Sequence, residues 1–299
     1  MPIIGRDSGM TIREALVKGT QILNAAKIET PAVDAGVMLC HVLGCDRTWL
    51  YAHGGEDLDK NASEKYSLHL SRRCTGMPVQ YITGKQEFMG LDFHVAQGVL
   101  IPRPDTEVLV ETALELGRQK KQGVKILEIG TGSGCIPVSI AYYLKNSFVL
   151  AADISEKALE IARMNAIKHG VSGRIEYIRS NLFKKIEMSG FDMIVSNPPY
   201  IRSGEIPGLQ REVRDFEPGL ALDGGEDGLD FYRSIARSAP AYLKEKGNLA
   251  FEVGIHQAEQ VARLMESRFE EVAVKKDLAG IGRVVIGTLK SRLYTKFKI

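Results

Sequence analysis

The run Phe191 to Ser196 (FDMIVS) has the apolar character of a buried strand, and it ends in Asn197-Pro198-Pro199-Tyr200. Consecutive prolines fix φ and hold the preceding Asn197 in extended geometry. The Asn197 side-chain oxygen and the Pro198 carbonyl can therefore stand as two aligned acceptors, a pair suited to both hydrogens of a planar –NH₂ group. The Tyr200 ring can cover the flat face of such a group and attract a nearby sulfonium by about 1 kcal/mol. Prolines alone would only terminate a strand; the flanking Asn and Tyr are what point to chemistry.

A second cluster lies upstream. VKILEI reads as a buried strand and runs into Gly130-Thr131-Gly132-Ser133-Gly134, after which a helix begins. Glycines at a strand-to-helix turn let backbone approach a ligand closely, at the sheet edge where α/β proteins bind nucleotides. The turn fails the dinucleotide fingerprint, because Cys135 stands where the third glycine of G-x-G-x-x-G belongs. Asp153 closes the next strand (VLAAD), and its carboxylate can accept both hydroxyl hydrogens of a free ribose. It could instead cap the following helix, but Ser155 fills that role at least as well. Farther on, Ser180-Asn181-Leu182-Phe183 offers a polar group and an apolar edge of the kind an adenine ring needs. The ligand implied is of adenosine type.

The elements that must position these residues follow from periodicity. Thr11 with Glu14 forms a capping-box pair, Thr30-Pro31 starts a second helix closed by Gly44, and further helix is expected at 46–51 and 59–74. Residues 1–84 thus read as a helical domain, assigned to substrate recognition. The character changes at Gly84: EFMGLDFHV is hairpin-like, so 85–100 is read as a β-hairpin linker. From 101 to 299 strands at 124–129, 147–152, 174–179, 191–196 and 248–253 alternate with helices at 105–116, 133–145, 155–169, 227–243 and 256–267, before two final strands near 270–275 and 282–288. That alternation predicts an α/β fold with a mainly parallel sheet covered on both faces. The Gly-, Pro- and charge-rich stretch 201–225 follows the NPPY motif directly and is read as a lid or substrate-shaping loop. Arg103 is open to either a substrate contact or a structural salt bridge.

Composition narrows the function classes. Lys plus Arg number 39 against 37 Asp plus Glu, and the first 84 residues carry nine of each sign, which argues against a general nucleic-acid binder. No stretch has the length and apolarity of a membrane span, and the N-terminus lacks an apolar signal core. Cys40, Cys45, Cys74 and Cys135 form no C-x-x-C pair, so reduced thiols in a bacterial-type cytosol are expected. Cys40, His41, His69 and Cys74 match no zinc spacing, and no metal is expected. The basic tail from Lys290 (Arg292, Lys296, Lys298) is read as a solvated end.

Glycine turn, ribose carboxylate and NPPY together resemble the class I (Rossmann-like) methyltransferases that act on planar amino groups. Within them the chain resembles the HemK/PrmC family of protein-(glutamine-N5) methyltransferases, on the further strength of IPRPDTE (101–107), EFMGLDFHV (87–95), EVRDFEPGLALDGGEDGLDFYR (212–233) and KDLAGIGR (276–283). The resemblance covers about 80–287. It implies S-adenosyl-L-methionine as methyl donor, S-adenosyl-L-homocysteine as product, and class I peptide chain release factors as substrates of a cytoplasmic, monomeric enzyme. By position it implies cofactor contacts at Gly130, Thr131, Gly132, Ser133, Gly134, Asp153, Asn181, Leu182 and Asn197. Substrate contacts fall on Asn197, Pro198, Pro199 and Tyr200, with Asn197, Pro198 and Tyr200 catalytic. Glu128 stands where many members carry Asp, and Asn181 where Asp is frequent. An adenine-N6 nucleic-acid methyltransferase shares the NPPY logic but needs a basic target-recognition region that is not evident here. A non-catalytic interaction protein would leave both motifs without a use.

Overall fold

The protein is described by a computed structural model over residues 10–291, so Arg292, Lys296 and Lys298 of the basic tail lie outside the described residues. Its chain divides into two compact units, one built from 10–84 with Gln210–Phe216, the other from Lys85–Leu209 and 217–291.

The first unit begins with α1 (Ile12–Ala25), α2 (Pro31–Leu43), α3 (Arg47–Ala52), α4 (Lys60–Cys74) and α5 (Val79–Thr83). At α1 the Glu14 backbone N–H donates to Thr11 Oγ1 at 3.2 Å and the Glu14 carboxylate accepts from the Thr11 N–H at 2.8 Å, so the capping box forms. Gly44 ends α2 in the left-handed region at φ 66°, as its position after the apolar run implied. The helices close over Leu23, Met38, Leu39, Leu50, Tyr66 and Leu70. Burial of each large apolar side chain contributes about 1.5–3 kcal/mol.

The second unit runs β1 (Lys85–Phe88), β2 (Leu91–His94), α6 (Glu107–Arg118), β3 (Val124–Ile129), α7 (Cys135–Tyr143), β4 (Ser147–Asp153), α8 (Glu156–Lys168), β5 (Ile175–Arg179) and β6 (Phe191–Ser196). The chain then leaves for α9 (Arg211–Phe216) and returns for α10 (Asp230–Ser238), β7 (Leu243–Glu252), α11 (Ala258–Met265), β8 (Phe269–Lys276) and β9 (Gly282–Leu289). Neither α5 nor α9, of five and six residues, was expected from periodicity. Helix α9 groups with α1–α5: buried Arg73 takes Asp34 at 2.6 Å and Glu212 of α9 at 2.8 Å. Removing one partner from the buried Arg73–Asp34 pair costs about 3–5 kcal/mol; Glu212 is partly exposed and adds a weaker tie from α9 to the same guanidinium.

Strands β1 and β2 pair as the expected hairpin. The main sheet has seven strands among the described residues, in the order β5-β4-β3-β6-β7-β9-β8, and β9 is the one strand reversed relative to the other six. Alternate residues of each strand feed opposite layers. Ile126, Val149, Val195 and Ala250 face Leu109 and Val110 of α6 and Ile136 of α7. Leu127, Leu150, Ile194 and Phe251 face Tyr232 and Ile235 of α10 and Met265 of α11. Strand order reverses between β3 and β6, and open α/β sheets bind ligands outside the carboxyl ends of strands at such a switch point.

Candidate active site

A cavity of about 400 Å³ lies at that edge, lined by the segments that follow β3, β4, β5 and β6 and by 98–106. This is within the range of small-molecule sites, about 300–1,000 Å³. Of the residues singled out in the sequence, Gly130, Thr131, Gly132, Ser133, Asp153, Asn181, Leu182, Asn197, Pro198 and Pro199 line it. Gly134 and Tyr200 are not among the lining residues.

The glycine turn is held by side chains on several elements. Gly130 and Gly132 sit at φ 83° and 54°, where an L side chain is strained, so the loop can expose backbone to the cavity. The Gly132 N–H donates to Asp153 Oδ2 at 2.9 Å, and Asp153 Oδ1 accepts from the Ser155 N–H at 2.8 Å. Each carboxylate oxygen keeps a second lone pair. Burial raises the Asp153 pKa, partly offset by these backbone donors, so further hydroxyl donors at this site would be welcome. Gly134 packs against α8, where a Cβ would lie 2.7 Å from Ala162 Cβ. Beneath the turn, fully buried Glu128 accepts from the Thr131 hydroxyl at 2.5 Å, while its Oε1 has no partner among the described residues. Desolvation pushes the Glu128 pKa up to about 8.

Several supports lay beyond the sequence reading. Buried Asn165 of α8 accepts from the His94 N–H at 2.7 Å and donates to the carbonyls of His94 and Ser133, both at 2.9 Å, tying the hairpin to the glycine turn. Nothing in an amphipathic helix pattern distinguishes such an Asn from a surface one. Ser180 Oγ donates to the Leu182 carbonyl at 2.7 Å and accepts from the Lys185 N–H at 3.0 Å. These bonds hold Leu182 at φ 50°, a backbone cost of order 1–3 kcal/mol for a non-glycine residue. Arg103 lines the cavity and pairs with Glu217, whose other oxygen accepts from the Ile101 N–H at 3.3 Å; of the two readings of Arg103, the salt bridge is present.

The NPPY end is organised differently. Ser196 pairs with Phe251 in the β6–β7 register, so Asn197 and Glu252 follow side by side at the ends of these strands. Asn197 Nδ2 donates to Thr106 Oγ1 at 3.2 Å. The Tyr200 carbonyl accepts from Gln257 Nε2 at 2.9 Å, and a Cβ on Gly254 would meet the Tyr200 ring at 2.9 Å. The ring thus packs on the Gly254 side of the motif, and burial pushes its hydroxyl pKa up to about 12. The 201–225 loop folds back on the motif: the Ile201 N–H donates to Leu222 at 3.0 Å and the Gly224 N–H to Ile201 at 2.8 Å. Pro218, Leu220 and Ala221 then reach the cavity.

The site therefore joins acceptors, exposed backbone and apolar walls (Ile154, Ala158, Leu182, Phe231) in one cavity. That set of groups, with the Asp153 carboxylate as acceptor, fits a nucleoside with free ribose hydroxyls. Among the described residues no group of three or more His, Cys, Asp or Glu could hold a metal ion, and no helix is long and apolar enough to cross a membrane.

Sheet order, the single reversed strand and a glycine turn beside NPPY define a class I methyltransferase fold. Residues 104–210 match the family described as methyltransferase small domain, and 14–84 match the PrmC N-terminal domain. A release factor glutamine methyltransferase of Clostridium acetobutylicum is 42% identical over 93% of this chain and 98% of its own. Another, of Koribacter versatilis, is 40% identical over 93% and 98%. The crystal structure of a release factor-specific protein-(glutamine-N5) methyltransferase from Alicyclobacillus acidocaldarius is 35% identical, covering 66% of this chain and 99% of its own with a TM-score of 0.41. The chain belongs to the release factor glutamine methyltransferase family.

Proposed function

We propose that this protein transfers a methyl group from S-adenosyl-L-methionine to the side-chain amide nitrogen (N5) of the glutamine in the Gly-Gly-Gln motif of class I peptide chain release factors. Family membership supports the reaction, and the observation that carries it to particular residues is the convergence of Asp153, the glycine turn and Asn197-Pro198 on one cavity. Bound S-adenosyl-L-methionine would supply an electrophilic methyl on a sulfonium and leave as S-adenosyl-L-homocysteine. On this reading Asp153 accepts the ribose hydroxyls, the backbone of Gly130 to Ser133 borders the methionine portion, and Asn181 and Leu182 flank the adenine.

An amide nitrogen is a poor nucleophile because its lone pair is delocalised into the carbonyl. Asn197 Oδ1 and the Pro198 carbonyl, each accepting one N–H, would turn that lone pair toward the methyl group and stabilise positive charge as it grows on nitrogen. The nitrogen becomes acidic once methylated and releases its proton to water. Pro199 keeps the Pro198 carbonyl aimed, and Tyr200 bounds the substrate side of the motif. We assign residues 1–84 to recognition of the body of the release factor and the cytoplasm as the working compartment. A chain beginning at Lys85 should keep cofactor binding and show a raised KM for intact release factor; an unchanged KM would contradict the assignment. The function itself is tested by incubating the protein with isotopically labelled S-adenosyl-L-methionine and intact release factor, where label must move to the factor.

A further inference from the structure

Glu252 ends β7 with 2% of its surface exposed, and its Oε2 has no hydrogen-bond partner among the described residues. A buried, unpartnered carboxylate oxygen is costly, so its persistence at this place needs a reason. Its neighbours supply one. Register sets Glu252 beside Asn197, and both the Thr106 hydroxyl and the Asn197 amide are close enough to stabilise its ionised form by hydrogen bonding. Thr106 itself is buried, and its oxygen already accepts from Asn197 Nδ2.

Hydrogen-bond polarity then runs one way. An ionised carboxylate only accepts, so it takes the Thr106 hydroxyl hydrogen; the Thr106 oxygen is left as an acceptor, and the Asn197 side chain must present its –NH₂ to it. Its Oδ1 consequently points the other way. We propose that Glu252 is a positioning residue which, through Thr106, fixes the flip state of the Asn197 amide so that Oδ1 rather than Nδ2 meets the substrate –NH₂. The inference rests on the functional reading above, because only a substrate with N–H donors makes one flip state productive. With the amide reversed, Nδ2 would face the substrate hydrogens and the site would repel its target.

The same chain of bonds makes the device sensitive to protonation. Burial pushes the Glu252 pKa up to about 7, with Asp105 raising it further and Thr106, Arg283 and Asn197 lowering it. Facing it are Asp105 ahead of α6, Arg283 on β9, Cys135 on α7, Tyr200 after β6 and Tyr232 on α10, whose hydroxyl donates to the Glu252 carbonyl at 2.9 Å. Arg283 is shared with Asp105 and Asp277, each at 2.9 Å, so its charge is not given to Glu252 alone. Protonated Glu252 can donate to Thr106, whose hydroxyl is then free to donate to Asn197 Oδ1. The amide flips, and transfer slows as pH falls through the Glu252 pKa.

Three variants test this: Glu252→Gln, Thr106→Val and the double substitution. In single-turnover assays at saturating cofactor and release factor, each single variant should be slower by about 10- to 100-fold, since misplacing a reacting group by about 1 Å costs roughly 100-fold. The double variant should be slower than Thr106→Val by much less than Glu252→Gln is slower than the parent, because Glu252 acts chiefly through that hydroxyl and only secondarily by its direct approach to Asn197. Cofactor affinity by calorimetry should stay within about twofold in all three, as expected of a change confined to the substrate side. Parental rate should rise with pH through about 7, and Glu252→Gln should lose that rise. A readout independent of turnover is the Asn197 side-chain amide resonance of the ligand-free protein, which should move over the same pH range in the parent and not in Glu252→Gln. Parental rate and pH profile in Glu252→Gln, additive losses in the double variant, or an Asn197 resonance indifferent to Glu252 would each overturn the proposal. A parental protein that transfers no methyl group while the resonance still titrates would instead overturn the functional reading and leave the relay standing.

Discussion

The loops after β3 and β4 and the loop after β6 border one cavity yet are built on opposite plans. The first pair is assembled from backbone: Gly130 and Gly132 take conformations few other residues tolerate, and Asp153 gathers the N–H groups of Gly132 and Ser155. The second depends on one side-chain amide, whose orientation is set by Thr106 and Glu252 from distant points of the chain. A backbone-built wall degrades gradually when one contact is lost. A side chain aimed through a relay fails at once when it is removed. Ligand holding and substrate orientation are thereby separable by mutation, and the predictions exploit that separation.

The largest effect should come from Asn197→Ala, which removes a preorganised acceptor of the kind worth about 2.7–4 kcal/mol in comparable sites, a loss of roughly 100-fold or more in single-turnover rate. Calorimetric affinity for S-adenosyl-L-methionine should change far less; an equal loss in both would erase the distinction between the two plans. Asp153→Ala should do the reverse, weakening cofactor binding by about 1.5–3 kcal/mol while leaving the rate at saturating cofactor near the parental value. Unchanged affinity would remove Asp153 from the cofactor site.

The smallest effect is one of stability and pH. Glu128 has its pKa raised from 4.5 to about 8 in the folded protein. Between those values the unfolded chain has released the proton and the folded one has not, so stability falls as pH rises through that window and through the folded pKa. Glu128→Gln can still accept from Thr131 and carries no charge. Its melting temperature relative to the parent should therefore climb from about pH 5 to about pH 8. A constant difference would show that the burial of Glu128 is not what sets this pH dependence.

The same contrast explains what could be read in advance. The glycine turn, Asp153 and NPPY were visible because each is a local device: strand, tight turn, terminating residue, all within a few positions. Strand and helix alternation placed them on one sheet edge for the same reason. Asn165, Thr106 and Glu252 were not visible, since each matters through a partner 71, 91 or 55 residues away (Asn165 to His94, Thr106 to Asn197, Glu252 to Asn197). A charged residue closing the apolar strand LAFE was the one available hint at Glu252. Gly134 looked like its neighbours in the turn and proved to be a contact with α8. Segment 210–216 lacked a periodic apolar face, and its Glu212 reaches Arg73 of α4, a contact no local pattern announces.

The central claim is that the two acceptors at Asn197 and Pro198 select an amide –NH₂ on a protein instead of an amino group on a base. It is tested most directly by offering the protein S-adenosyl-L-methionine together with intact release factor and adenine-containing duplex DNA, and locating the transferred methyl by fragmentation mass spectrometry. The account predicts one methyl group on the side-chain nitrogen of the Gly-Gly-Gln glutamine and none on DNA. Methylated adenine with an unmodified glutamine would contradict it.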